Sequence, residues 1–132
     1  MGWARTRYGD RARFFCRTVD RAAVEELGRG SFDIVVAHGV VHHLDDDQAR
    51  AFFGLAHDAL KGGGRLVTAD GCYVPGQSWL ARFLLSMDRG RFVRGEESYV
   101  RLARQCFEAV RSDIRHDTFR VPYTIIFMEC TA

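Results

Sequence analysis

Residues 32–41, FDIVVAHGVV, are an almost unbroken apolar run rich in valine. A run of this kind predicts a strand buried on both faces, the sort found inside parallel sheets. Asp45, Asp46 and Asp47 follow it and suit a helix N-terminus, where carboxylates cap unpaired N–H groups and face the positive end of the dipole. Ala49, Phe52, Phe53, Ala56 and Leu60 then recur at helical spacing as one apolar stripe. Gly62 is the expected stop, because glycine enters the left-handed region without strain. Arg65–Ala69 (RLVTA) reads as the next strand. A strand, a helix long enough for a crossover and a second strand predict a parallel sheet with right-handed connections.

Shorter signals flank this unit. Arg13–Val19 (RFFCRTV) is β-prone, and Asp20–Leu27 sets Ala23, Val24 and Leu27 at helical spacing before Gly28 and Gly30 break the pattern. After the Pro75-Gly76 turn, Ser78 suits the cap of a short helix with Trp79, Leu80, Phe83, Leu84 and Met87 on one side, expected to pack on the domain. Residues 88–95 read as a basic, glycine-punctuated loop, in which Arg89, Arg91 and Arg94 either meet a substrate anion or stand in solvent. Glu96–Val110 predicts a helix burying Tyr99, Leu102, Ala103, Cys106 and Phe107. Val110–Phe119 alternates, Pro122 limits pairing, and Tyr123–Cys130 (YTIIFMEC) is a strong strand signal. Two strands after the helices predict a closing antiparallel pair.

Composition narrows the function classes. The chain has 132 residues, enough for one domain, and a net charge of +2 that gives no reason to expect a polyanion. Lys61 is the only lysine among nineteen basic residues, and the arginines are scattered from Arg5 to Arg120 instead of forming a stripe. No nucleic-acid partner is expected from that pattern. Cys16, Cys72, Cys106 and Cys130 form no C-x-x-C pair and match no zinc spacing, which reads as reduced thiols in a cytoplasmic protein. The N-terminus is basic without an apolar stretch, so no signal peptide is expected. Trp79–Met87, interrupted by Arg82, is too short for a membrane span.

The segment GSFDIVVAHGVVHHLDDDQARAFFGLAHDALKGGGRLVTAD resembles class I S-adenosylmethionine (SAM) dependent methyltransferases of the small bacterial type. The resemblance rests on Phe32-Asp33 at the family's fourth strand, His42-His43-Leu44 in the turn after it, and Leu60-Lys61-Gly62-Gly63-Gly64 before the fifth strand. Gly62 stands where the family usually has proline. The likeness runs from about Tyr8 to the C-terminus. It implies an α/β fold: a Rossmann-like methyltransferase sheet lacking its first two strands, with parallel strands plus a C-terminal antiparallel pair. Residues 1–132 then read as one partial class I methyltransferase domain, with the substrate-lid insertion at about 71–96.

In the family, the first strand ends in a glycine-rich loop beside the SAM carboxylate, and the second in an acidic residue that holds the ribose hydroxyls. Neither precedes Gly28-Arg29-Gly30 here, so the chain is expected to begin inside the fold. The missing strands would lie between Arg13–Val19 and Phe32–Val41. The latter is therefore expected to expose an edge, which invites self-association or completion by a partner.

The resemblance implies SAM-dependent methyl transfer to a small-molecule acceptor, incomplete in this chain because the glycine-rich loop is absent. It places Thr18, Val19, Ala37, His38 and Val40 near the cofactor, with Thr18 where many relatives have an acidic residue. His42 and His43 face the acceptor side, and either is a candidate general base for an acidic O–H or N–H. Binding of SAM by this chain alone is not expected. The alternative is a non-catalytic remnant that acts as an interaction module or needs a partner to complete the sheet. No metal site is expected, because His38 and His42 span a strand end and a turn.

Overall fold

The computed structural model describes residues 2–87 and 90–132. Two short helices come first, α1 (Gly2–Tyr8) and α2 (Arg21–Leu27), then β1 (Phe32–His38), a 3-10 turn (Val41–His43) and α3 (Asp46–Ala59). After them come β2 (Leu60–Tyr73), α4 (Trp79–Met87), β3 (Arg94–Gly95), α5 (Glu96–Ala103), β4 (Ala109–Arg115) and β5 (Ile125–Thr131). The sheet order is β1-β2-β5-β4, with β3 added to the far end of β2. β1 and β2 are parallel, from Ile34 opposite Arg65 to His38 opposite Ala69. β5 runs antiparallel to both β2 and β4, which is the closing pair predicted by the sequence. The mixed α/β sheet with a parallel unit and an antiparallel end is as expected.

Local chemistry accounts for the best-defined helix. Asp45 accepts from the Gln48 N–H at 2.8 Å while the Gln48 side chain accepts from the Asp45 N–H at 3.1 Å, a reciprocal cap at the start of α3. The predicted stripe turns Ala49, Phe53 and Ala56 onto the sheet. There, with α5, they cover Leu66, Ile126 and Met128. Each fully buried large apolar side chain contributes about 1.5–3 kcal/mol relative to exposure. The helix ends at Ala59, one residue before the end of the predicted stripe, and the left-handed glycine is Gly63 (φ +79°), not Gly62. Leu60 is already extended, because its carbonyl end joins the strand that Arg65–Ala69 predicted too narrowly.

Several expectations are corrected. Residues 12–20 form no strand, since an isolated β-prone segment has no neighbour to receive its N–H and C=O groups. β1 is not buried on both faces: Ile34 is 60% and Val36 69% exposed. α4 presents the opposite face to that predicted. Ala81 and Leu85 are buried, while Trp79, Phe83 and Met87 stand exposed. The helix predicted over Glu96–Val110 stops at Ala103, and β4 begins at Ala109. Cys72 and Cys130 are buried and Cys106 half-buried, but Cys16 is exposed. Among the described residues no helix is long and apolar enough to cross a membrane.

Candidate active site

The parallel strands β1 and β2 deliver their C-terminal ends side by side, where ligands bind in open α/β sheets. Beyond β1, the Gly39 N–H donates to the Ala69 carbonyl at 2.8 Å, and the chain turns through Val41–His43 over the end of β2. Asp70, near that end, is almost fully buried. Its Oδ1 accepts from the His42 backbone N–H at 3.1 Å and lies 2.8 Å from His42 Nδ1. A carboxylate offers only acceptors, so His42 Nδ1 is the donor in this contact. Asp70 Oδ2 is buried with no hydrogen-bond partner among the described residues. A buried acceptor of that kind costs free energy until a donor reaches it.

A cleft of about 350 Å³ opens beside this pair, lined by His38, Gly39, His42, His43, Asp70, Gly71, Phe119 and Tyr123. The Phe119 and Tyr123 rings stand edge to face with centroids 6.1 Å apart and form an aromatic wall. Tyr123 comes so close to the strand that a Cβ on Gly71 would lie 2.8 Å from its hydroxyl, and as near to Leu85 of α4. Glycine at 71 is therefore a condition of the wall's position. Gly90 is another close approach, since a Cβ there would run into the His42 ring.

Arg94 is turned onto the protein and not out into solvent. Its side chain is only 10% exposed and donates to the Val41, Leu44 and Phe92 carbonyls and to Asp46. Arg91 is exposed, and Arg89 lies outside the described residues.

Residues 2–68 match the family model described as a methyltransferase domain. The chain belongs to this methyltransferase family. Solved structures agree on the fold. TnmH is 16% identical with a TM-score of 0.71, over 99% of this chain and 38% of its own. The pyocyanin biosynthetic protein PhzM is 20% identical with a TM-score of 0.58, over 76% of this chain and 30% of its own. A SAM-dependent methyltransferase of Thermotoga maritima, described as a possible histamine N-methyltransferase, is 17% identical with a TM-score of 0.57, over 78% of this chain and 57% of its own. This methyltransferase chain thus spans less than two thirds of each of these proteins. No curated protein sequence matches it.

Of the residues singled out from the sequence, His38, His42 and His43 meet in the cleft. The His42 and His43 rings stand 4.2 Å apart, with His43 exposed and His42 buried. Ala37 is buried in β1 and Val40 half-buried in the turn beside it. Thr18 and Val19 are not brought to the cleft; both are exposed, and Val19 lines an apolar groove with Val24, Phe32 and Ile34 at the β1 edge. For SAM, the described residues are an incomplete cradle: the end of β1 offers Ala37, His38 and Val40, with neither an acidic side chain nor a glycine-rich loop beside its open edge. These residues fit one side of the cofactor only. Among the described residues no group of three His, Cys, Asp or Glu gathers as a metal would require.

The sequence reading gave no role to Asp70, Phe119 or Tyr123. An acidic residue closing an otherwise apolar strand, with a histidine turn one crossover earlier, was the available signal for Asp70.

Proposed function

We propose that this chain supplies the acceptor side of a SAM-dependent methyltransferase acting on a small molecule, with His42 as general base. The observation that carries the reading is the His42–Asp70 pair on the floor of the strand-end cleft. SAM, when held, supplies an electrophilic methyl group; the work left to the protein is orientation and removal of the acceptor's proton. Asp70 orients the imidazole through Nδ1, and Nε2 is the ring atom assigned to take the proton from an O–H or N–H. His43 lies beside it as an alternative partner for the acceptor. Phe119 and Tyr123 give an apolar body somewhere to lie. Ala37, His38 and Val40 would border the cofactor, and Thr18 and Val19 would reach it only after a rearrangement of residues 12–20.

The second reading concerns the open edge of β1. Exposed Ile34 and Val36, and the apolar groove of Val19, Val24, Leu27, Phe32 and Phe52 beside them, favour a partner strand there. That strand comes from a second copy or another polypeptide, and the chain is then an interaction module whose sheet is completed on docking. The free thiols fit a reducing, cytoplasmic setting.

The test is transfer of a labelled methyl group from SAM to a panel of phenols and amines, with His42→Gln in parallel. Transfer by the wild-type chain that falls about a hundredfold or more in the variant supports the base assignment. Transfer unchanged by the variant removes His42 from the chemistry. No transfer by a folded wild-type chain removes autonomous catalysis and favours the interaction module.

A further inference from the structure

We infer that Arg94 is the positioning residue for His42, acting from outside the cleft. This rests on the reading of His42 as the acceptor-side base.

The Arg94 guanidinium has five N–H donors, and each has an acceptor. Nε and one Nη2 proton reach Asp46 Oδ1 at 3.1 and 2.8 Å. The second Nη2 proton reaches the Leu44 carbonyl at 2.7 Å, and Nη1 reaches the Val41 and Phe92 carbonyls at 3.3 and 2.9 Å. Val41 and Leu44 bracket His42, so one planar cation clamps both ends of the turn that carries it. The middle of the turn is held from either side: Asp70 accepts from the His42 N–H, and the Phe92 N–H donates to the His42 carbonyl at 3.0 Å.

The clamp is itself fixed. Arg94 lies in β3, paired with Cys72 two residues beyond Asp70, and its own N–H approaches the Tyr99 hydroxyl at 3.4 Å. Its guanidinium lies 5.8 Å from the Tyr99 ring centroid, where a cation gains from the π face. The strand that holds Asp70 and the turn that holds His42 are therefore registered to each other through Arg94. Lysine keeps the charge but has no fork to span two carbonyls and a carboxylate.

The test is Arg94→Lys in the full chain, read by the ¹⁵N-resolved imidazole signals of His42 and by amide exchange. The expected result is loss of the slowly exchanging Nδ1–H of His42, with its amide exchanging about tenfold faster, the change that loss of about one net hydrogen bond carries. The amides of Ile126 and Met128 in the core should keep their protection. An unchanged His42 signal overturns the inference, as does a uniform loss of protection in both regions. If Arg94→Lys does not fold, Asp46→Ala at the exposed start of α3 removes two of the five bonds and is read the same way, with the same two overturning results. The NMR signature does not depend on turnover, so failure of the base assignment in the His42→Gln assay is distinguishable from failure of the clamp.

Discussion

The Tyr99 hydroxyl donates to the Gly71 carbonyl at 2.8 Å, tying the first turns of α5 to the strand position next to Asp70. Tyr99 is fully buried, so neither group has water as a substitute. Tyr99→Phe keeps the packing and leaves the carbonyl unmet, and the Arg94 N–H loses its nearest acceptor as well. The expected cost is about 1–3 kcal/mol. Urea unfolding of the two proteins measures it, and an unchanged midpoint would show that the hydroxyl does not anchor the strand.

Asp70→Asn should be nearly silent in fold and severe in chemistry. The amide still accepts from the His42 backbone N–H but no longer selects the Nδ1–H tautomer by charge. Methyl transfer, where measurable, is expected to fall about a hundredfold or more, with circular dichroism unchanged. Equal rates for the two proteins would contradict the orienting role.

Alkaline pH should destabilise the chain before any general effect of base. Burial pushes the thiols of Cys72 and Cys130 from 9.0 up to about 12, with Glu96 and Glu129 adding to it, and burial also raises the Tyr99 phenol above its usual 10.0. Above pH 9 the unfolded chain releases these protons while the folded chain keeps them. Stability present below the unfolded values is therefore lost as pH rises toward the folded ones. Each thiol should contribute a slope of about 1.4 kcal/mol per pH unit between about pH 9 and 12. Urea midpoints for wild type and Cys72→Ala/Cys130→Ala give the test: the double variant should show the shallower decline.

The β1 edge yields a prediction about assembly. If the edge pairs with a second copy, the wild-type chain elutes larger than 15.0 kDa, and Val36→Lys returns it to monomer size. Val36 is 69% exposed, so the change should alter stability by no more than about 0.5 kcal/mol. A chain already monomeric at high concentration excludes self-pairing there.

Where the signal was local, the sequence was legible. The stripe from Ala49 to Leu60 and its acidic N-terminus produced α3 with its cap at Asp45. The strand–helix–strand order produced the parallel pair β1 and β2. His42-His43 marked the turn that reaches the site. Arg13–Val19 misled because β-propensity is realised only against a neighbour, and no strand pairs there. α4 misled for a different reason. Apolar residues occur on both of its faces, and the tight fit of Leu85 against Gly71 selects the smaller one.

The sequence by itself determined the periodic elements, their order and the family, because helix stripes, caps and short motifs are properties of neighbouring residues. Only the tertiary structure decided that Asp70 would hold His42 across twenty-eight positions of chain, and that Arg94 would grip the same turn from fifty further on. Those contacts depend on which strand ends meet and which loops fold back over them. They are set by chain crossings whose partners are distant in sequence, and no local pattern encodes the pairing.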